Sequence, residues 1–284
     1  MRRELGASTF AFAWREPALQ ALRRLHALGL NGFDVILAPG HCWPGELTVA
    51  DRSRLASTLA AEGIRIDSVN FPALDLNLAS CVAEVREYSV ERYREALLLG
   101  AELGVRGVVA VPGRVSSLIG PPPEETERWL AESVGELLAV AEETDASVFL
   151  ELHPQTPIPT VDALDRFVAG FDDPRLRVAY DVANAEFVSE DHGEALLRLA
   201  PRLGQVHLSD ASATRWAHDR VGLGTVDFAT VFRTLDEIAF DGPCILEVVT
   251  ATPLPDIEAS LARLASAGPA KLPLVDTGPK GGDD

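Results

Sequence analysis

Residues 148–151 read Val-Phe-Leu-Glu, a short apolar run that ends in an acidic residue. Three later runs have the same form, and each also ends in a residue type that binds divalent metal ions. The steps between the four end residues are 30, 26 and 40 residues, about one strand and one helix each. If the runs are successive parallel strands, their last side chains meet at one end of one sheet and form a metal site. These end residues are Glu151, Asp181, His207 and Glu247.

Short apolar or β-branched runs alternate with segments of helical period along the body of the chain, which predicts βα units and a parallel sheet. Eight such units in about 265 residues match a single (β/α)8 TIM barrel, an α/β fold. The glycine fingerprints of open nucleotide-binding sheets do not occur. We predict strands at 5–12, 32–37, 65–70, 107–111, 147–151, 177–181, 205–208 and 244–248, and helices at 17–29, 50–62, 83–103, 124–144, 161–170, 192–200, 227–239 and near 256–266.

The chain is strongly acidic, with 43 acidic against 25 basic residues and a formal charge of −18. Such a charge repels phosphate backbones and anionic lipid surfaces, so we expect neither nucleic acid nor a membrane as a partner. The expected partner is a small-molecule substrate. The three cysteines do not form a CxxC pair and are interpreted as reduced thiols, which together with the composition predicts a cytoplasmic protein. They are Cys42, Cys81 and Cys244.

Lysine is confined to the end of the chain, at Lys271 and Lys280. Both lie in residues 268–284, a segment rich in Gly, Pro and Asp that we predict to be a flexible tail outside the barrel domain 1–267. Schiff-base chemistry requires a lysine amine within the fold. We therefore expect a substrate carbonyl to be polarised by something other than lysine.

Each of the four end residues also has an ordinary interpretation, since a lone acid at a strand end is often a helix cap and a lone histidine is often a core residue. Their recurrence on four consecutive predicted strands favours the metal site. A donor set of three carboxylates and one imidazole favours one Mn²⁺, Mg²⁺ or Co²⁺ ion, leaves Zn²⁺ open and disfavours thiolate-bound metals.

Longer segments around these residues resemble the xylose-isomerase-like, or sugar phosphate isomerase/epimerase, barrels. That family includes ketose 3-epimerases, hydroxypyruvate isomerase, inosose dehydratase, one class of 3-dehydroshikimate dehydratase and endonuclease IV. The resemblance covers most of residues 5–265 and implies one divalent ion bound by the four residues named above. The segments are Glu151-Leu-His153-Pro154, Asp181-Val-Ala-Asn184, His207-Leu-Ser-Asp210, residues 218–224 and Glu247.

The resemblance also implies catalytic roles. In the epimerases two glutamates lie on opposite sides of the substrate, which gives Glu151 and Glu247 paired acid and base roles. His153 resembles the histidine that helps dehydratases to expel water, although a histidine facing solvent before a proline turn is an equal alternative. The trinuclear site of endonuclease IV is disfavoured, because its further ligand positions hold Asn70, Val111, Asn184 and Trp216 in this chain.

Several loop residues are candidates for substrate binding. Arginine and histidine side chains after the fourth and seventh strands are suited to a carboxylate or phosphate group. Aromatic side chains after the first two strands are suited to form an apolar wall over a sugar. Ordinary surface arginines and loop packing are the alternatives. The candidates are Arg114, Asn184, Arg215, His218, Trp14 and His41.

Three functions are consistent with the sequence. The leading prediction is a metal-dependent isomerase or epimerase of a ketose, sugar phosphate or related polyol, in which a metal-stabilised enediolate transfers the proton. The second is a metal-dependent dehydratase, a lyase, of a keto-inositol or of a cyclic keto acid such as 3-dehydroshikimate. The third is a barrel without catalytic activity, because fold alone does not establish a reaction. Related barrels often pair, so the resemblance suggests a homodimer.

Overall fold

A computed structural model describes residues 3–72, 75–115, 118–267 and 270–271. Eight parallel strands form one sheet, which closes because the last barrel strand, β10, pairs with β1 through Leu5 and Cys244. The predicted TIM barrel is therefore confirmed. The strands are β1 Arg3–Ser8, β2 Phe33–Ile36, β3 Ile66–Asn70, β4 Gly107–Ala110, β5 Ser147–Glu151, β6 Leu176–Asp181, β7 Leu203–Leu208 and, after the two strands of a separate hairpin, β10 Cys244–Leu246.

Helices surround the barrel and bury an apolar face against the outer side of the strands. The helix Ala83–Leu103 has the predicted bounds, and the other predicted helices are confirmed with ends that shift by up to three residues. The helices are α1 Ala18–His26, α2 Val49–Glu62, α3 Ala83–Leu103, α4 Pro123–Thr144, α5 Val161–Ala169, α6 Val182–Phe187, α7 His192–Leu199, α8 Phe228–Glu237 and α9 Pro253–Ala267. None of the helices in the described ranges is both long and apolar enough to cross a bilayer.

The first strand is shorter than predicted. It ends at Ser8, and residues Phe10–Phe12 form a 3-10 turn in which the Phe12 N–H donates to the Thr9 carbonyl. The Thr9 hydroxyl accepts a hydrogen bond from the Ile36 N–H, which ties this turn to the end of β2. The hydrophobic pattern of residues 5–12 did not indicate the turn, because the residues before and after the end of the strand are both buried.

An antiparallel hairpin and a short helix were not predicted. The hairpin strands β8 Asp210–Ser212 and β9 Arg215–Asp219 rise from the carboxyl end of β7. The buried carboxylate of Asp210 accepts hydrogen bonds from the N–H groups of Gly222 and Val226 and so anchors the chain that follows the hairpin. The unpredicted helix α6 directly follows Asp181, whose side chain caps it.

Most of the predicted tail, 268–269 and 272–284, lies outside the described residues. The described pair Ala270–Lys271 forms a short parallel strand, β11, beside Arg3 and Glu4 of β1. The division into a barrel domain and a flexible tail stays a prediction.

Closure of the barrel requires a residue without a side chain at Gly6. A Cβ atom there would overlap the Gly32 carbonyl oxygen and would lie 2.7 Å from Ile245 Cδ1. We predict that Gly6→Ala lowers the free energy of unfolding by about 1–3 kcal/mol, the usual cost of overpacking a core. The measurement is the shift of the urea unfolding midpoint.

Gly135 provides the matched control, because it lies on the exposed side of α4 and a Cβ atom there meets no described atom within 4 Å beyond the adjacent residues and backbone of its own helix. Gly135→Ala is expected to stabilise the protein by about 0.5–1 kcal/mol, since alanine favours the helix. Equal responses of the two variants would contradict the close approach of β1 and β2 at Gly6.

Candidate metal centre

The four predicted ligands converge at the carboxyl end of the barrel. Glu151 ends β5, Asp181 ends β6, His207 lies in β7 and Glu247 follows β10. One potential ligand atom from each residue lies within 4.8 Å of the others, and all four side chains are buried. The strand order places β5, β6, β7 and β10 side by side, so the barrel itself brings these residues together.

The histidine lies between the carboxylates. His207 Nδ1 is 3.4 Å from Glu151 Oε1, 3.4 Å from Glu247 Oε2 and 3.9 Å from Asp181 Oδ2. One carboxylate oxygen of Asp181 accepts a hydrogen bond from the Asn184 N–H, while Oδ2, like His207 Nδ1, is buried without a hydrogen-bond partner. Buried polar atoms are rarely left unpartnered, so two of them facing one another fit a divalent ion between them.

The electrostatics of the cluster also favour added positive charge. Burial raises the pKa of Asp181 to about 6, because a charged carboxylate is poorly solvated there. Burial alone would lower the pKa of His207, but the Glu247 and Glu151 carboxylates outweigh it and hold that pKa well above its usual value. A divalent cation would offset the repulsion among three buried carboxylates.

A layer of polar side chains lies inside the barrel at the ends of the first strands. The fully buried carboxylate of Asp34, on β2, accepts hydrogen bonds from Ser68 Oγ at 2.6 Å and from Ser8 Oγ and Asn70 Nδ2 at 3.3 Å each. Burial raises the pKa of Asp34 to about 6. Polar residues in the centre of a barrel cost stability compared with aliphatic packing, so this layer indicates a functional end.

A cavity of about 530 Å³ opens above the four residues, within the size range of small-molecule sites. Glu151 and Glu247 form part of its floor, and the hairpin β8–β9 contributes one wall. The other walls come from strand ends and loops in both halves of the barrel. The lining residues are Phe10, Asn70, Phe71, Pro72, Val111, Arg114, Glu151, His153, Asn184, Arg215, Trp216, Ala217, His218, Asp219, Glu247 and Val249.

The two predicted arginines line the cavity in different ways. The guanidinium of Arg114 donates to Gln155 Oε1 at 2.6 Å and has no carboxylate partner among the described residues. Arg215 lies on the hairpin and forms an ion pair with Asp219. Arg114 is therefore the better placed of the two to bind an anionic group.

The predicted residues His218 and Asn184 also line the cavity. His218 Nδ1 is 3.4 Å from Glu247 Oε2 and 3.6 Å from Asp181 Oδ2, next to the four candidate ligands. Both side-chain atoms of Asn184 are used within the protein, since Nδ2 donates to the Leu152 carbonyl and Oδ1 accepts from Trp216 Nε1. Asn184 thus holds the hairpin against the end of β5.

Trp14 and His41 were predicted to form an apolar wall over the substrate, but neither lines the cavity. Trp14 is 63% exposed and does not line the cavity. His41 is buried outside the cavity lining, and its ring nitrogens contact the Glu16 carbonyl and the Thr9 hydroxyl. The proposed apolar wall is formed by other residues, because the 3-10 turn after β1 directs Phe10 rather than Trp14 toward the cavity.

The side chain of His153 lines the cavity and is not directed only at solvent. Its ring lies edge-on to Trp216 with 5.0 Å between ring centroids, and burial lowers the pKa of the imidazole. The Gln155 N–H donates to His153 Nδ1 at 3.3 Å. A neutral imidazole that is fixed in this way is able to exchange a proton with a bound ligand.

The sequence did not single out Trp216, Phe10 and Phe71 as cavity residues, since their positions depend on loop conformation. The location of Gln205 beside His207 could have been predicted from the sequence but was not. Gln205 lies two residues before His207, and residues at that spacing on a strand point to the same side.

A model of the xylose isomerase-like TIM barrel family matches residues 22–267. An uncharacterized protein of Methanocaldococcus jannaschii is 27% identical over 63% of each chain. Inosose dehydratase of Geobacillus thermodenitrificans is 25% identical over 72% of this chain and 76% of the relative. L-ribulose-5-phosphate 3-epimerase of Escherichia coli is 23% identical over 87% of this chain and 91% of the relative.

Solved structures give the same architecture. A D-tagatose 3-epimerase-like protein superimposes with a TM-score of 0.81 and 22% identity, over 93% of this chain and 96% of that one. At this identity the similarity shows the fold, while reaction and substrate have to be argued from the residues of this chain.

We predict that the protein binds one Mn²⁺ per chain between the four clustered side chains. At a free Mn²⁺ concentration about 100-fold above Kd, binding should stabilise the folded state by about 2.7 kcal/mol. Asp181→Asn keeps the oxygen that accepts the Asn184 N–H but loses the charge, so it should lose most of this stabilisation. Elemental analysis and thermal unfolding with and without Mn²⁺ measure both effects.

The control is Asp219→Asn, which removes a carboxylate from the cavity lining outside the cluster. It should bind Mn²⁺ as the unmodified protein does. A protein without stoichiometric ion, or an unchanged Mn²⁺ response in Asp181→Asn, would count against the site.

Proposed function

The chain belongs to the xylose isomerase-like TIM barrel family, and from this we propose that it is a metal-dependent isomerase or epimerase of a ketose, sugar phosphate or related polyol. The observation that carries the proposal is the buried cluster of Glu151, Asp181, His207 and Glu247 at the floor of a sugar-sized cavity. Related proteins named as an epimerase and a dehydratase support the same class of chemistry.

The proposed reaction is proton transfer next to a carbonyl group. When bound, a divalent ion supplies positive charge that polarises the carbonyl and acidifies the adjacent C–H bond; Mn²⁺ suits these donors best, and Mg²⁺, Co²⁺ or Zn²⁺ are alternatives. Glu151 and Glu247 are the proposed acid and base. Their carboxylates reach the cluster from different strands, and in this proposal one removes a proton on one face of the substrate and the other returns it on the opposite face.

The proton balance agrees with the charges in the cluster. Burial would raise the pKa of Glu247, but the positive charge of His207 outweighs it and holds the pKa below its usual range. When an ion is bound, its charge would take the place of the His207 charge and would likewise keep the Glu247 carboxylate deprotonated and able to accept a proton. The base and the acid exchange roles between the forward and reverse reactions.

The rest of the cavity binds the substrate in this proposal. Apolar surfaces of Phe10, Phe71 and Trp216 are suited to the carbon face of a sugar, and His218 lies close enough to the cluster to bind a hydroxyl group. Arg114 is suited to bind a phosphate or carboxylate at the far end. The substrate-binding roles of Arg114, Arg215 and His218 stay proposals.

A second candidate is a dehydratase of a keto-inositol or cyclic keto acid, favoured by the position of His153. This reaction begins with the same proton removal and then expels a hydroxyl group as water. The His153 imidazole lines the cavity two residues after Glu151, and burial lowers its pKa, so the neutral ring is able to accept the proton removed from carbon and pass it to the leaving oxygen.

We expect the metal-loaded enzyme in D₂O to place deuterium on the carbon next to the carbonyl of its substrate, within a panel of ketoses and ketose phosphates. Glu151→Gln and Glu247→Gln proteins that retain the ion should exchange at least about 100-fold more slowly, the usual loss for an acid or base. NMR and mass spectrometry measure the exchange, and elemental analysis confirms the metal.

The matched control is Glu136→Gln, on the exposed side of α4, which should exchange normally. Absence of exchange across the whole panel would exclude the epimerase proposal. Formation of a conjugated-enone absorbance with a keto-inositol or 3-dehydroshikimate would instead identify the dehydratase, provided that His153→Ala loses the activity.

A further inference from the structure

We propose that Gln205 is a positioning residue that fixes the tautomer of His207. In this arrangement the Gln205 carbonyl oxygen accepts a hydrogen bond from the His207 Nε2–H group. The lone pair of His207 Nδ1 is then directed at the ion between the three carboxylates. The inference rests on the metal site of the proposed function and concerns a residue outside the ligand set.

The two side chains are adjacent inside the barrel. Gln205 and His207 are two residues apart on β7, so both point inward, and both are fully buried. An amide atom of Gln205 lies 2.7 Å from His207 Nε2. This distance is that of a short, well-formed hydrogen bond.

The orientation of the Gln205 amide determines which nitrogen of His207 carries the proton. With the Gln205 nitrogen facing the ring, Nε2 has to accept the hydrogen bond, and Gln205 Oε1 remains buried without a partner. His207 Nδ1 then carries the proton and also lacks a hydrogen-bond partner. Turning the amide over places the oxygen against the ring, so that Nε2 carries the proton and Nδ1 presents a lone pair.

The surroundings of Nδ1 favour the second arrangement when an ion is bound. Nδ1 is 3.4 Å from both Glu151 Oε1 and Glu247 Oε2, at the side of the ring that faces the carboxylates. An imidazole binds a metal through a nitrogen without a proton, so the proton must be on Nε2. A buried Nε2–H requires an acceptor, and Gln205 is the partner that the described structure provides for this nitrogen.

A residue without an acceptor at this position would leave the buried Nε2–H group without a partner. For this reason we assign a role to the amide of Gln205 and not only to its volume.

The test compares Mn²⁺ affinity among Gln205→Leu, Gln205→Glu and the remote control Gln20→Leu, an exposed position on α1. Leucine removes the acceptor at similar size, and we expect Kd for Mn²⁺ to rise about 10- to 100-fold, as for other residues that orient metal ligands. Glutamate keeps an acceptor and should bind at least as tightly as the unmodified protein. Gln20→Leu should not change Kd.

A spectroscopic measurement on the unmodified protein gives a second, independent result. In Zn²⁺-loaded protein labelled with ¹⁵N-histidine, His207 should show a protonated Nε2 whose hydrogen exchanges slowly with solvent. This readout does not depend on the folding of any variant. A proton on Nδ1 instead would overturn the inference.

The outcomes separate this inference from the proposed function. If the unmodified protein binds no Mn²⁺, the proposed metal-dependent function fails and the inference fails with it. If it binds Mn²⁺ and Gln205→Leu binds equally tightly, only the role of Gln205 is overturned. Equal weakening by glutamate and leucine would also overturn it, because packing and not hydrogen-bond acceptance would then explain the effect.

Discussion

The proximity of three buried carboxylates at one rim of the barrel is the constraint on which the site depends. Glu151, Asp181 and Glu247 would repel one another strongly in such a poorly solvated place unless positive charge lay between them. His207 provides some of that charge, as the direction of its pKa shift shows. A divalent cation would replace the proton on His207 Nδ1, supply more positive charge than that proton, and partner the buried atoms that lack a hydrogen bond.

The barrel and the hairpin contribute different parts of the site. Parallel strands fix where the ligands are, because side chains at neighbouring strand ends are held by the backbone ladder. The hairpin β8–β9 and helix α6 determine which side chains surround a bound small molecule above the cavity floor. Asn184 connects the two parts, since it bonds to the cap residue Asp181, to the end of β5 and to Trp216. Changes in the upper part can therefore alter the substrate while the proposed proton chemistry below is retained.

The prediction from sequence succeeded where the periodicity of the chain determines the structure. β5 has the predicted bounds, and the four strand-end residues meet because eight βα units close into one barrel. It failed where long-range hydrogen bonds determine a loop. The turn after β1 depends on Thr9 meeting Ile36, and the path of the chain after β9 depends on the Asp210 carboxylate. The local sequence does not reveal these long-range hydrogen-bond partners. For this reason the sequence analysis predicted that Trp14 lines the cavity and did not predict it for Trp216.

Anomalous X-ray diffraction from crystals grown with Mn²⁺ tests the central claim most directly, because it locates the ion without relying on activity. The account predicts one anomalous peak per chain, bonded to oxygens of Glu151, Asp181 and Glu247 and to Nδ1 of His207. The distance from the ion to each of these atoms should be about 2.1–2.3 Å, between the metal–ligand distances usual for Mg²⁺ and for Ca²⁺. A peak elsewhere, or ordered side chains in the cluster without a peak at saturating Mn²⁺, would contradict it.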